Sequence, residues 1–163
     1  MISYTIRPIN PAEIYILEDF LYEAIFQRDE TKLLPRETIY QPDIWVYIKD
    51  FGKPDDLCLV AEVCNEIVGA VWTRILNGEV KGFGNIDDVT PEFAISLHKE
   101  YRNQGIGTQL MRRMLALLKE RGYKQATLSV QKDNYAARMY QKVGFKIIEE
   151  KEEEYLMIHK LIE

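Results

Sequence analysis

Arg102–Gly107 reads RNQGIG and lies between a short apolar run, FAISL at Phe93–Leu97, and a long amphipathic one that continues TQLMRRMLALLKER. Glycine is a poor residue inside a strand or a helix unless the backbone must turn unusually or come close to another group. Two glycines at a strand-to-helix handover therefore suggest a close approach. The first turn of a helix carries backbone N–H groups without intrahelical partners, and the helix dipole adds partial positive charge there. Together these make an anion site, with phosphate the usual occupant. Glycines at 105 and 107 would let such a group come near, and Arg102 can add a charge-assisted contact.

The run after the turn predicts a helix over Gly107–Arg121, burying Leu110, Met111, Met114, Leu115, Leu117 and Leu118 and ending before Gly122. Working outward, SYTIRPI reads as a first strand ended by Pro8. Ala12–Gln27 has near-helical apolar spacing, and Pro42–Lys49 reads as a short helix with proline in its first turn. DLCLVAEV and EIVGAVWTRI form two β-rich runs around Asn65 and Glu66, a hairpin. Asn77–Pro91, rich in Gly, Asn and Asp, reads as a long surface loop. Strands are expected at Lys124–Val130, Phe145–Glu149 and Tyr155–Ile162, and a helix at Asn134–Val143. EEKEEE at Glu149–Glu154 reads as a solvated turn. A hairpin followed by strands alternating with helices indicates a mixed α/β or α+β sheet.

The 163 residues suit one domain over 1–163, and 47% apolar with 29% charged residues is a globular composition. No apolar run approaches the roughly 18 residues of a membrane span, and the start of the chain lacks the order of a secretion signal. Cys58 and Cys64 are expected as buried strand thiols in a reducing cytosol, which places the protein in the cytoplasm. Between Lys99 and Lys146 stand 11 basic and three acidic residues, a surplus of +8; the rest of the chain carries −13, giving the net −5. That asymmetry suits an anion site in the C-terminal half, with an acidic half facing a cationic partner.

Which anion can be narrowed. The pattern GxxxxGK[ST] is absent from the chain, and a dinucleotide GxGxxG fails because Leu110 occupies the third glycine position. A second element follows in VQKDNYAARMYQKVGF, Val130–Phe145: a strand, a helix capped by Asp133 or Asn134, then a strand. Ala136 and Ala137 keep the wall beside Tyr140 low. R-x-x-G-x-G at 102–107, with Asn134, Ala137, Tyr140, Gly144 and Phe145 in order behind it, makes the chain resemble the GNAT superfamily of acyl-CoA-dependent N-acyltransferases. The resemblance is strongest over Pro91–Ile148.

It implies a mixed, mostly antiparallel central sheet flanked by helices, with a splayed strand pair at the cofactor site. It implies acetyl-CoA as co-substrate, with no metal, and an N-acetyltransferase in which a primary amine attacks the thioester directly. Arg102, Asn103, Gln104, Gly105, Ile106, Gly107 and Thr108 would cradle the coenzyme A pyrophosphate. Ile95 and Leu97 would carry the pantetheine arm, with an N–H near Leu97 polarising the thioester carbonyl. Asn134 and Ala137 would line that arm, and Tyr140 would protonate the leaving thiolate. The amine must first lose a proton, since an alkylammonium titrates at ~10; Glu92 is the candidate base, His98 the other one. Asp87 and Asp88 could hold a cationic acceptor. The acceptor site would be built from Ala12–Lys49 and Asn77–Pro91, for a small-molecule or peptide amine.

The two histidines do not pair with a cysteine at ligand spacing, a cysteine nucleophile is not indicated, and neither nucleic acid nor membrane is an expected partner. The resemblance allows a homodimer. A non-catalytic acyl-CoA-binding or regulatory module on the same scaffold, or an acyltransferase acting on a peptide or protein amine, are the readings that compete.

Overall fold

The computed structural model describes residues 2–162. Seven strands form one sheet in the order β1-β2-β3-β4-β5-β7-β6: β1 Thr5–Pro8, β2 Leu57–Val63, β3 Glu66–Arg74, β4 Glu92–Leu97, β5 Gln125–Gln131, β6 Lys146–Glu150 and β7 Glu154–Lys160. Every neighbouring pair is antiparallel except β4 and β5, which run parallel. Helices α1 (Leu17–Ala24) and α2 (Pro42–Trp45) cover one face, and α3 (Ile106–Glu120) and α4 (Ala136–Lys142) the other. The mixed, mostly antiparallel sheet between helices is the architecture expected from the sequence.

The α3 layer is the larger core. Ile106, Leu110, Met111, Met114 and Leu118 are almost wholly buried against Leu59, Val71, Phe93 and Leu128. Burying such side chains stabilises by about 1.5–3 kcal/mol each. The helix ends in a Schellman turn, with Tyr123 N donating to Leu118 O and Gly122 N to Lys119 O. On the other face Leu17, Phe20 and Leu21 of α1 pack on Val60, Ala70 and Trp72.

Several sequence expectations shift. The stretch expected as one helix over Ala12–Gln27 is a 3-10 segment, Pro11–Ile16, followed by α1. Arg7 holds both oxygens of Glu13 (2.8 and 2.9 Å) and also Glu62 (2.7 Å), fixing the first turn against β2. That contact draws the Glu13 carboxyl down to about 2. A 3-10 turn at Arg36–Tyr40 has no counterpart in the sequence reading, and α2 is α-helical only over Pro42–Trp45 before looser turns continue to Lys49. Cys64 is exposed at the hairpin tip with φ +50, so only Cys58 is the buried strand thiol; both are free. In β6 the ladder to β7 skips from Ile147 to Glu149, leaving Ile148 as an extra residue on the outermost strand. Among the described residues, no helix is long and apolar enough to cross a membrane.

At the end of β3, Arg74 is buried and makes a bidentate pair with Asp56 (both 3.0 Å) while donating to the carbonyls of Val46 and Lys49 (2.9 and 2.8 Å). This fixes the turn after α2 onto the sheet. Removing one member of a buried pair strands the other charge, so Arg74→Ala should cost about 3–5 kcal/mol in urea unfolding. A loss below about 1 kcal/mol would show that the pair does not clamp the turn.

Candidate functional site

The sheet opens at its middle. β4 and β5 are in register at a single position, Glu92 opposite Thr127, with Thr127 N donating to Pro91 O at 3.0 Å. β4 meanwhile stays paired with β3 from Glu92 to Leu97, so β5 leaves β4 rather than β4 leaving the sheet. Amide direction alternates along a strand. His98 N donates to Val68 O on β3 (2.8 Å), which turns the amides of Ser96 and Ala94 the same way. Those of Ile95 and Leu97 therefore face the widening gap toward β5. Ser96 Oγ donates to Phe20 O of α1 (2.6 Å), fixing the strand against that helix.

The glycine turn closes the wide end of this gap. Gly105 is the N-cap of α3 with φ +86, a conformation that any side chain would strain. Gln109 N donates to Gly105 O (3.2 Å), so the amides of Ile106, Gly107 and Thr108 precede the first intrahelical bond. A Cβ on Gly107 would lie 3.4 Å from Leu97 Cδ1 and 3.6 Å from Met139 Cε, so the end of β4, the start of α3 and the middle of α4 meet at this point. Arg102, Asn103, Gln104 and Gly105 are exposed. Arg102 is turned back, donating to Leu97 O (3.2 Å) and to Glu23 of α1 (3.1 Å). Asn103 has φ +61, a second left-handed residue in the turn, and Gln104 donates to Glu100 O (3.0 Å).

Tyr140 lies on α4 with 8% of its surface exposed, edge-on to Phe145 (6.3 Å between centroids). Burial pushes its phenol well above the ordinary tyrosine range, so it stays protonated at any working pH. The residue of α4 that reaches the glycine turn is Met139. Asn134, expected with Asp133 as a candidate helix cap, lies one residue before the N-cap Tyr135; its Oδ1 accepts from Ala136 N (2.9 Å). With Ala137 it lines a separate concavity of about 420 Å³, together with Lys132, Arg138, Ile147 and Tyr155.

Glu92 sits at the closed end of the gap, on the face covered by α1 and α2. Only 3% of it is exposed. One oxygen, Oε2, accepts from the Tyr47 hydroxyl and from Gly84 N (3.0 Å); Oε1 is the one fully buried side-chain nitrogen or oxygen without a partner among the described residues. Loss of water raises its pKa to about 7, against the two hydrogen bonds that lower it. The stretch expected as a surface loop, Asn77–Pro91, is in part a roof: Gly84 and Thr90 are buried, and Gly84 O accepts from the Thr127 hydroxyl (2.7 Å). Asp87 organises that loop by accepting from Val89 N, Thr90 N and the Thr90 hydroxyl, which lowers its pKa; Asp88 is exposed, and its carbonyl accepts from Asn77. His98 stacks on Phe20 at 4.8 Å.

Sequence reasoning missed Tyr47. A tyrosine 45 residues from its carboxylate partner, in a stretch read only as a short helix, carries no local signal.

A family model described as "Acetyltransferase (GNAT) family" matches residues 19–145. No curated protein sequence matches the chain significantly. Among solved structures, an acetyltransferase of the GNAT family from Streptococcus pneumoniae is 23% identical, with TM-score 0.68 over 99% of this chain and 100% of that one. The paia N-acetyltransferase of Thermoplasma acidophilum, in complex with coenzyme A, is 19% identical, with TM-score 0.68 over 98% and 99%. The putative acetyltransferase yncA of Salmonella typhimurium, with acetyl-CoA, is 16% identical, with TM-score 0.69 over 99% and 95%. At these identities the likeness is one of fold.

Proposed function

The chain belongs to the acetyltransferase (GNAT) family, and on that premise we propose that it moves the acetyl group of acetyl-CoA to a primary amine by direct attack. The observation that carries this reading is the gap between β4 and β5, with the free amides of α3 at its wide end and a buried, near-neutral carboxyl at its closed end. The presence of coenzyme A in the Thermoplasma protein and of acetyl-CoA in the Salmonella protein supports it.

Acetyl-CoA supplies an activated acyl group as a thioester, and a diphosphate that suits an unpaired helix N-terminus. The turn's features fit that anion: a left-handed Gly105 with open space where a side chain would begin, and a Gly107 that adds no side chain between the amides and the gap. Arg102 adds its charge to the same site on exchanging Glu23 for the diphosphate. The amides of Ile95 and Leu97 are directed so that either can steady negative charge growing on the acyl oxygen, an effect worth about 2.7–4 kcal/mol. Glu92 takes the ammonium proton through water, since its carboxylate is covered, and a pKa of about 7 suits a base working near neutrality. Tyr140 donates to the sulfur as the C–S bond breaks. As the C–N bond forms, the nitrogen sheds a second proton, which replaces the one Tyr140 gives up. The balance is an amide, a thiol and one released proton per ammonium consumed. The acceptor is a small-molecule or peptide amine.

The test is twofold. Isothermal calorimetry with coenzyme A should give saturable binding that weakens as salt rises, as expected for a phosphate-dominated contact. Acetyl-CoA with a panel of primary amines should release free thiol in step with acetylated amine detected by mass spectrometry. Binding without turnover across a broad panel would reassign the chain as a non-catalytic coenzyme A module; no binding would end the proposal.

A further inference from the structure

The surroundings of Glu92 contain a residue with no assigned role. Tyr47 sits in the turn after α2, and two residues of β3 hold its backbone there: Trp72 Nε1 donates to the Tyr47 carbonyl (3.0 Å), and Arg74 to the carbonyls of Val46 and Lys49. Its hydroxyl works in two directions. The O–H donates to Glu92 Oε2, and the oxygen accepts from Phe83 N (2.9 Å) in the roof segment. The Phe83 ring lies nearly parallel to the Tyr47 ring, 6.4 Å away. The roof is tight: a Cβ on Gly82 would fall 2.1 Å from Glu92 Oε1. One carboxylate oxygen is thus fixed by Tyr47 and Gly84, and the other is held bare beneath glycine.

We propose that Tyr47 is a positioning residue for proton transfer: its hydroxyl fixes Oε2 of Glu92, leaves Oε1 as the oxygen that receives the acceptor's proton, and ties down the Gly82–Gly84 segment that keeps bulk water off it. This rests on the reading of Glu92 as base. A structural tyrosine would need only a partner; here both the hydroxyl's hydrogen and its lone pair are spent on the two groups that define the environment of Oε1. Other charges around Glu92 are accounted for. Glu154 of β7 raises its pKa and Lys151 in the β6–β7 turn lowers it, and both count for less than burial and the two hydrogen bonds. Arg74 is opposite Glu92 in the β3–β4 register, but its guanidinium is committed to Asp56. Removing the Tyr47 hydroxyl therefore leaves Gly84 N as the remaining donor to the carboxylate.

The experiment titrates Glu92 directly and through the rate. Protein labelled with carboxyl-13C glutamate is titrated by NMR, with the Glu92 signal identified by its loss in Glu92→Gln. In parallel, the pH profile of kcat/KM is measured with acetyl-CoA and the primary amine of the panel that is acetylated fastest. The amine's own titration is common to all variants, so only differences between profiles are read. In Tyr47→Phe the Glu92 midpoint should rise by about one pH unit, as for loss of one hydrogen bond to a carboxylate. The acid limb of the profile should move with it, giving about a tenfold loss at the foot of that limb and convergence with native protein at high pH. In the Glu92→Gln background the same change should alter the rate less than twofold. Should Tyr47→Phe fail to fold, 3-fluorotyrosine at position 47 alone, a stronger donor, should lower the midpoint and the limb together. If neither midpoint nor limb moves in a folded variant, the inference is overturned while Glu92 keeps its role. If the midpoint moves and the limb does not, Glu92 is not the base and the inference falls with that reading.

Discussion

Replacing Tyr140 with phenylalanine is expected to lower turnover by about 10²-fold, the low end of the usual scale for loss of a general acid, with coenzyme A affinity unchanged. The ring is enclosed in the α3-side core against Phe145, and phenylalanine keeps that volume, so the fold should survive with little loss of stability. What disappears is one hydroxyl. Its pKa is raised by burial, so the native phenol is fully protonated across the working range, the state in which the proposed acid must begin. The defect should therefore shrink for acyl thioesters whose thiol is more acidic and leaves without a proton. Turnover equal to that of the native enzyme would remove Tyr140 from the chemistry, while a parallel fall in coenzyme A affinity would make it a binding residue.

Glu92→Gln is expected to have the larger kinetic effect, about 10²- to 10⁴-fold in kcat/KM at neutral pH, together with an opposite effect on stability. The sign follows from linkage. Burial raises the Glu92 carboxyl from an ordinary 4.5 to about 7 in the folded protein. The folded state thus holds a proton that the unfolded chain releases. Glu92 favours folding fully below about 4.5, and this contribution is lost as pH rises through about 7. Glutamine has no such dependence. Urea unfolding of both proteins should show the variant gaining on the native chain between about pH 5 and pH 8.5, by about 3 kcal/mol for the full shift. A constant difference across that range would mean that Glu92 titrates in the folded protein as it does in the unfolded chain. A base held at the expense of stability is the pattern expected of a functional carboxyl, because burial that serves only packing would favour an apolar side chain.

Local patterns in the chain announced much of this. The apolar spacing from Leu110 to Leu118 and the glycine at 122 delimit α3 because a helix face and its stop are encoded within a few residues of each other. The β2–β3 hairpin and the glycine turn at 102–107 are legible for the same reason. The misses come from contacts between distant residues. Glu13 sits in a helical pattern, but Arg7 pins it to β2, and the segment tightens to a 3-10 turn. Asn77–Pro91 has a loop's composition, yet its glycines are shaped around a carboxylate that a scan of the loop alone cannot see. Arg102 is exposed, as the sequence suggests, but its pairing with Glu23 spans 79 residues and leaves no local trace. Cys64 looks like part of a buried strand until the hairpin turn places it outside. Periodicity reports what each segment will become, and says little about which side chains the fold then brings together.

The unmatched Ile148 governs how the molecule meets its own copies. Two adjacent isoleucines on a straight outer strand would make an adhesive margin, ready to splice onto a second chain. The surplus residue crimps that margin and breaks the cadence of hydrogen bonding after Ile147, while a run of glutamates follows immediately. Stacking into ribbons along this flank is thereby discouraged, and concentrated solutions of the protein should stay clear.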